Sequence, residues 1–324
     1  MSDITDVPSI CSEVLNGYSV LDSSFGLVYV RHFGAMDLAF FNSKRAELVR
    51  EGRKRGLSSL EDREKEILAQ ELWTEDKNKD IKIRSGFIKN LYKTKGLQTS
   101  QKAIEIYTKQ IIEEEKKLAE IENEKSNIIG LTIENWAEKK ISERYIYKSF
   151  HKDPSFSAPF FSEDEFDEIE EIKLYQLYAE FNALSKKFAP ENLKKIALNA
   201  HYYNLFVVSD GNIFNFYGKP IIHLTNYQVE TFRHANYFKS IFENSQSPPP
   251  EDVMDDPEKL VDWFNMSRNI QKAVEKGSSV VGASAEDYKR AGIKDEIVDF
   301  GAKMKNSGKN SLEMEDLLRM QMGG

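Results

Sequence analysis

The densest set of side chains that could do chemistry lies in residues 245–269, SQSPPPEDVMDDPEKLVDWFNMSRN. Its candidate metal ligands are four carboxylates: Asp252, Asp255, Asp256 and Glu258. The alternating ligand spacing and the central glycine of a calcium-binding loop are missing from this segment. A structural interpretation explains more of it, because the prolines at 248–250 favour extended backbone, Asp256 is placed to cap a helix, and Pro257 suits the first helical position. We therefore expect no metal site here.

Other residue types that could support catalysis are scattered. Five histidines occur, each flanked by aromatic or aliphatic residues, which favours a core or surface role: His32, His151, His201, His223 and His234. Cys11 is the single cysteine, so no internal disulfide forms, and a lone cysteine is more typical of a small core residue than of a nucleophile. The acidic run SEDEFDEIEE, from residue 162, lies at a predicted helix start, where the helix dipole favours acids.

Motifs that would indicate an enzyme were not found in the sequence. It has no phosphate-binding glycine-rich loop, no dinucleotide-binding fingerprint and no HExxH pair. Paired carboxylates for glycoside chemistry can be assembled from almost any two of the many acids, so they carry no specificity. We predict a protein that is not an enzyme, with no catalytic residues, no cofactor and no metal.

Composition indicates a globular protein with exposed helices. The chain has 324 residues, of which 30% are charged and 40% hydrophobic, with a mean hydropathy of -0.55. The net charge of -8 argues against nucleic-acid binding, and the basic stretch at residues 44–55 suits a solvated helix face. The first thirty residues lack a secretory leader, and no run of eighteen apolar residues occurs, so we expect a cytoplasmic protein without membrane contact.

Local patterns predict a small hairpin followed by many helices. Residues 18–33, YSVLDSSFGLVYVRHF, are typical of a β-hairpin. Helical spacing begins at Ala35, and three serine or threonine residues, each with Glu or Gln three positions later, predict further helix starts: Ser58 with Glu61, Ser162 with Glu165, and Thr225 with Gln228. The run LFVVSDGNIFNF allows a second hairpin, although its first half equally suits the end of a helix.

The longest predicted helix covers residues 100–127, with apolar residues at seven-residue spacing. Glu114 and Lys125 fall on its apolar seam and limit a coiled coil to a few turns. Two alternatives remain open at this point: a helical hairpin with the helices of residues 58–93, or a homo-oligomer.

We predict a mainly α fold with small β-hairpin elements, a multi-helix bundle carrying a long helical hairpin or short coiled-coil arm. The prolines at 154–159 suggest a domain boundary. The predicted parts are residues 1–153 with the hairpin and the long-helix arm, 160–276 as a C-terminal helical domain, and 277–324 as a flexible tail ending in a short helix. This Met-rich helix either folds back on the body or orders on a partner.

Protein binding is the function for which candidate residues can be named from the sequence. They are apolar side chains of the helix after Pro257 and of the terminal helix: Trp263, Phe264, Leu317, Leu318 and Met320. Large aromatic and methionine side chains are enriched in protein interfaces.

Five segments in this order resemble large tailed-phage virion-associated proteins: VYVRHF, RGLSS, ELWTEDKNKDI, GKPIIHLTNYQ and SPPPEDVMDDPEKLVDWF. The resemblance covers roughly residues 18–270. It implies a non-enzymatic tail assembly protein that chaperones a tape-measure or hub component in the host cytoplasm, or else a minor structural component of the virion. The implied partners are phage tail or other virion proteins.

Overall fold

The computed structural model describes residues 7–275 and 283–293, which form a mainly α fold with a small antiparallel sheet. Fifteen α-helices and three strands lie in these residues: α1 Val7–Asn16, β1 Tyr18–Ser23, β2 Gly26–Arg31, α2 Ala35–Lys54, α3 Leu60–Ala69, α4 Glu75–Lys95, α5 Gln101–Ile129, α6 Ile133–Ser149, β3 Phe150–His151, α7 Glu163–Asp167, α8 Glu171–Lys186, α9 Pro190–Leu198, α10 Ala200–Val208, α11 Ile213–Tyr217, α12 Asn226–Asn244, α13 Glu251–Met254, α14 Pro257–Glu275 and α15 Ala285–Arg290. A 3-10 turn covers Ile221–His223. No described helix combines the length and the hydrophobicity needed to cross a bilayer.

Capping side chains set most of the predicted helix starts. The Ser162–Glu165 capping box is confirmed, and so is the start of α12, where Thr225 and Gln228 exchange hydrogen bonds of 3.0 and 3.2 Å. The box predicted at Ser58 is wrong by one residue. The hydroxyl of Ser59 accepts from the main-chain N–H of Asp62 instead, because α3 begins at Leu60.

The N-terminal hairpin is confirmed as β1 and β2, which pair antiparallel with Val20 opposite Tyr29. The short strand β3 extends the sheet by placing Phe150 opposite Val30. Val28 and Val30 face the core from β2 and are at most 3% exposed. Burying one side of the hairpin stabilises a pair of strands that would be marginal alone.

The chain forms two compact units. Unit 1 comprises Met1–Lys79 and Glu120–Ser240, and unit 2 comprises Asp80–Ala119 and Ile241–Gly324. In unit 1, α2 packs closely on α6 around buried Leu48 and Ile141. Gly52 permits this approach, because a Cβ there would lie 3.2 Å from a side-chain carbon of Ile133.

Both charges on the seam of α5, Glu114 and Lys125, are paired with residues of other helices of the chain. In unit 2, Glu114 accepts from Arg84 of α4 at 2.9 Å, and these side chains are only 17% and 29% exposed. In unit 1, Lys125 pairs with Glu64 of α3 at 2.5 Å. Pairing a half-buried charge offsets part of its desolvation cost.

Unit 2 joins segments that are far apart in sequence. The side-chain amide of Asn269 on α14 donates to the carbonyls of Gly96 and Gln98, in the turn between α4 and α5, at 3.0 and 3.2 Å. The indole N–H of Trp263 donates to the carbonyl of Arg290 at 2.8 Å, which ties α14 to the segment of α15.

The division into units differs from the predicted one. The proline-rich residues 154–159 lie inside unit 1, where the N–H of Phe160 donates to the carbonyl of Phe150 at 2.8 Å and closes a loop. Residues 283–293 belong to the predicted flexible tail, yet they contain α15, whose Tyr288 is 8% exposed. The remainder of that tail, 277–282 and 294–324, lies outside the described residues. Local patterns miss both features because they depend on long-range packing.

The run LFVVSDGNIFNF forms helices and not the second hairpin that its sequence also allowed. Its first half ends α10 and its second half forms α11. The side chain of Asn212 accepts from the N–H groups of Phe214 and Asn215 at 2.9 and 3.1 Å, which starts α11. An N-cap therefore takes the place of a hairpin turn here.

Candidate functional site

A cavity of about 240 Å³ lies in unit 1 where α1 ends and where α2 and α12 begin. We call it the polar cavity and define it by its lining residues: Asn16, Gly17, Arg31, His32, Gly34, Met36, Asp37, Phe156, Lys219, Ile222, His223, Leu224, Thr225 and Gln228.

Hydrogen bonds and a β-bridge connect the helix ends around the polar cavity. Gly34, the N-cap of α2, pairs with Thr225 in an isolated β-bridge, and a Cβ at Gly34 would lie 2.5 Å from the carbonyl oxygen of Leu224. The Gln228 side chain accepts from the N–H of Thr225 and donates to the carbonyl of Leu15 at the end of α1, both at 3.0 Å. Buried Gln228 therefore fixes two helix ends to each other.

The charges lining the polar cavity do not cancel. Arg31 pairs with Asp37 at 2.5 Å, and Asp37 also accepts from the N–H of Gly34 at 3.0 Å. Among the described residues, Lys219 has no carboxylate within ion-pair distance, and the exposed imidazole of His223 lines the same cavity. The cavity thus carries an excess of positive charge in a chain whose net charge is -8.

His32 forms part of the cavity wall and is buried, at 6% exposure. Its Nε2 lies 2.8 Å from the hydroxyl of Ser19, and its ring contacts the rings of Phe188 and Tyr227 edge-on. No described residue offers its Nδ1 a hydrogen bond. Burial lowers the pKa of His32 from 6.5 to about 3, so the imidazole is neutral at pH 7.

A second cavity of about 240 Å³, also in unit 1, shares Arg31 and His32 with the first. We call it the apolar cavity, because most of its lining residues are aliphatic or aromatic: Val30, Phe33, Leu38, Tyr145, Phe181, Leu184, Phe188 and Tyr227, together with Ser185 and Asn226. The Arg31 guanidinium lies over the Phe33 ring at 5.3 Å. A polar and an apolar recess therefore adjoin the same strand end.

Neither cavity contains a recognisable catalytic arrangement among the described residues. Ser19 and His32 have the distance of a nucleophile and its base, but Ser19 is fully buried and lines neither cavity. Asp37 is the single carboxylate lining the polar cavity, and it is already engaged by Arg31. The pair of carboxylates that glycoside hydrolysis needs is thus missing from this cavity.

Asp252 and Asp256, two of the acids of residues 252–258, have structural partners. Asp252 forms an ion pair with Arg290, and the Asp256 carboxylate accepts from the N–H groups of Glu258 and Lys259 at 3.0 and 3.2 Å, capping α14. The cap and the position of Pro257 are confirmed. In the described part of the chain, no cluster of three or more His, Cys, Asp or Glu residues could hold a metal ion.

The five residues predicted to bind protein are placed as follows. Trp263 is 2% exposed and bonded to Arg290, so its ring anchors α14 within unit 2. Phe264, the next residue, is partly buried. Leu317, Leu318 and Met320 lie outside the described residues. A binding role for these residues stays a prediction.

A different apolar surface is exposed on unit 1. Between residues 205 and 222, six aliphatic or aromatic side chains are each more than 40% exposed: Leu205, Val207, Val208, Phe214, Ile221 and Ile222. We call this the 205–222 segment. Met36, 65% exposed, lines the polar cavity together with Ile222. Exposed apolar residues concentrated in one segment are typical of protein interaction sites.

Sequence patterns did not reveal this site. Arg31, His32 and Lys219 come from distant parts of the chain, and His223 was interpreted as a core or surface histidine. The available signal was the apolar content of IFNFYGKPIIHL, which in the structure comprises the short helix α11 and the 3-10 turn before α12.

The chain matches no known protein family, and comparisons with curated proteins and with solved structures also give no match.

Proposed function

We propose that this chain is a non-enzymatic binding protein of tailed-phage morphogenesis, which holds a tail component such as a tape-measure or hub protein during assembly. The phage context is supported by the resemblance in sequence of residues 18–270. The binding role is supported by a single structural observation, the exposed apolar side chains of the 205–222 segment, of which Ile222 also lines the polar cavity.

The exposed fractions of these side chains indicate how much binding free energy a partner can gain by covering them. Val208 is 85% exposed, and Phe214 and Ile222 are 55% and 51% exposed. Covering one such side chain contributes about 1.5–3 kcal/mol when it becomes fully buried, so a partner that covers these partly exposed side chains gains part of that amount at each. This gain must exceed the entropy lost on association before a complex forms.

The second candidate function is a minor structural component of the virion. The same apolar surface favours it, because a permanent interface also needs exposed apolar area in the free subunit. A hydrolase is the third and least supported candidate, since the polar cavity has no free carboxylate. Mass spectrometry of purified particles separates the first two, because a chaperone is absent from them and a structural component is recovered stoichiometrically.

A paired-variant experiment tests the binding role. The chain is co-expressed with tail proteins, and complexes are isolated on a tag placed on the chain. Val208→Asp combined with Phe214→Asp should reduce capture of the client at least tenfold, because both substitutions place a carboxylate in the interface. Val208 is 85% and Phe214 55% exposed, so neither change empties a core position, and urea unfolding of the double variant checks that the fold is retained.

Ile172→Asp supplies the matched control. Ile172 is an exposed aliphatic residue of α8, also in unit 1, with 75% of its surface accessible. This variant should capture the client as the parent chain does. Equal capture by the double variant and the parent would refute the assignment of the 205–222 segment as the binding surface.

A further inference from the structure

We infer that the polar cavity receives a carboxylate of the protein partner, carried by a segment whose neighbouring side chain is apolar. This inference rests on the proposed function, because it specifies which chemistry of the client that surface selects. It concerns the charge of the polar cavity and four exposed residues that line it, which we call its rim: Lys219, His223, Met36 and Ile222.

Charge is the first argument. Arg31 is neutralised by Asp37, whereas Lys219 has no ion-pair partner among the described residues. An exposed ammonium group without an ion-pair partner at a cavity lined by a neutral imidazole attracts an anion, and because Lys219 is exposed to solvent this attraction is modest. Burial keeps the His32 imidazole neutral, so His32 adds no positive charge that could bind the anion in place of Lys219.

The apolar rim is the second argument. Met36 and Ile222 line the same cavity and remain 65% and 51% exposed. An anion without an apolar neighbour, such as free phosphate, would leave this rim uncovered. A protein segment with an acidic residue beside an aliphatic one would engage both features, placing the carboxylate against Lys219 and the aliphatic group against the rim.

Methyl NMR on the full chain with isovalerate as the probe tests this inference. Isovalerate joins a carboxylate to an aliphatic group, and isovaleramide is its uncharged isostere. The methyl signal of Met36, assigned with the variant Met36→Leu, reports binding at the rim. We expect a saturable shift with isovalerate at millimolar concentration and affinity about fivefold weaker for isovaleramide, as an exposed charge pair provides.

Lys219→Gln should abolish the preference for isovalerate over isovaleramide without changing the affinity for isovaleramide. Lys186→Gln, which changes another exposed lysine of unit 1 away from the cavity, should preserve the preference. Equal affinity for both probes, an unchanged preference in Lys219→Gln, or no saturable shift up to about 50 mM would overturn the inference.

Failure of this inference and failure of the proposed function give different results. If client capture depends on Val208 and Phe214 while Met36 does not respond to isovalerate, the binding role stands and the carboxylate specificity is wrong. If isovalerate binds in a Lys219-dependent manner and no tail protein is captured, the cavity selects carboxylates but the proposed function is wrong.

Discussion

Acidification should destabilise the fold through His32, the buried histidine between the two cavities. Its imidazole is held neutral in the fold because burial lowers its pKa to about 3, against an ordinary value of 6.5. Between these two values the unfolded chain binds more protons than the folded chain. The stability associated with neutral His32 is therefore present above pH 6.5 and is lost as the pH falls towards 3.

The size of the loss follows from the same two pKa values. At pH 5 the unfolded imidazole is almost fully protonated and the folded one almost fully neutral. The linkage relation then gives a decrease of about 2 kcal/mol in the free energy of unfolding between pH 7.5 and 5.0. This figure is insensitive to the folded pKa as long as that pKa lies well below 5, so it rests mainly on the exclusion of water from the ring.

Urea unfolding of the parent chain and of His32→Gln at pH 7.5 and 5.0 measures this contribution. Glutamine retains a polar group that can reach the Ser19 hydroxyl but does not titrate. Burial also lowers the pKa of His151 and of His234, so the parent chain loses stability from several sites. The difference between the two proteins isolates His32, and the parent should lose about 2 kcal/mol more than the variant.

Equal losses in the two proteins would refute the reasoning. A second measurement does not depend on the stability of the variant. The ring carbon signal of His32 in the parent chain should keep a constant chemical shift from pH 7.5 to about 4.5, because its folded pKa lies near 3. A titration midpoint near 6 would show that water reaches the imidazole.

Three further predictions concern packing. Trp263→Ala should lower the free energy of unfolding by about 3–5 kcal/mol, because the ring is 2% exposed, and Trp263→Phe should lower it by about 1–2 kcal/mol. Urea unfolding measures both values, and equal small effects would contradict the burial of the ring. Gly34→Ala should destabilise the fold by about 1–3 kcal/mol, because the added Cβ would lie 2.5 Å from the Leu224 carbonyl oxygen. Gly86→Ala should instead stabilise the fold by about 0.5–1 kcal/mol, because Gly86 lies inside α4 and its Cβ would meet no other atom. Cys11 is 1% exposed and burial raises its thiol pKa to about 11, so a disulfide reagent at pH 8 should react at least about 100-fold faster in urea than with the native chain, and comparable rates would show that the thiol is accessible.

Sequence patterns predicted most of the secondary structure correctly because the interactions that start a helix or a hairpin are local. The Ser162 hydroxyl bonds a main-chain N–H three residues later, and Asp256 bonds N–H groups two and three residues later. The same locality explains the shift of a predicted cap from Ser58 to Ser59, since adjacent serines offer the same chemistry. The choice between a turn and an N-cap around Asn212 was open for the same reason.

Such local patterns could not predict the candidate site. Lys219 is one of many lysines in the sequence, and only packing shows that no carboxylate of residues 7–275 or 283–293 pairs with it, whereas Glu114 and Lys125 obtain partners on other helices. His32 looked like any histidine flanked by apolar residues. Its pKa depends on water being excluded by Phe188 and other distant residues.

Local sequence was sufficient to predict that this chain is mainly helical, where most of its helices begin, and that Asp256 and Pro257 start a helix. These outcomes depend on side-chain to main-chain bonds over a few residues and on apolar periodicity. Tertiary packing was needed to show how the segments combine into two units and that Lys219 at the polar cavity has no ion-pair partner among the described residues. Those outcomes depend on contacts between segments far apart in the chain, for which local pattern carries no information.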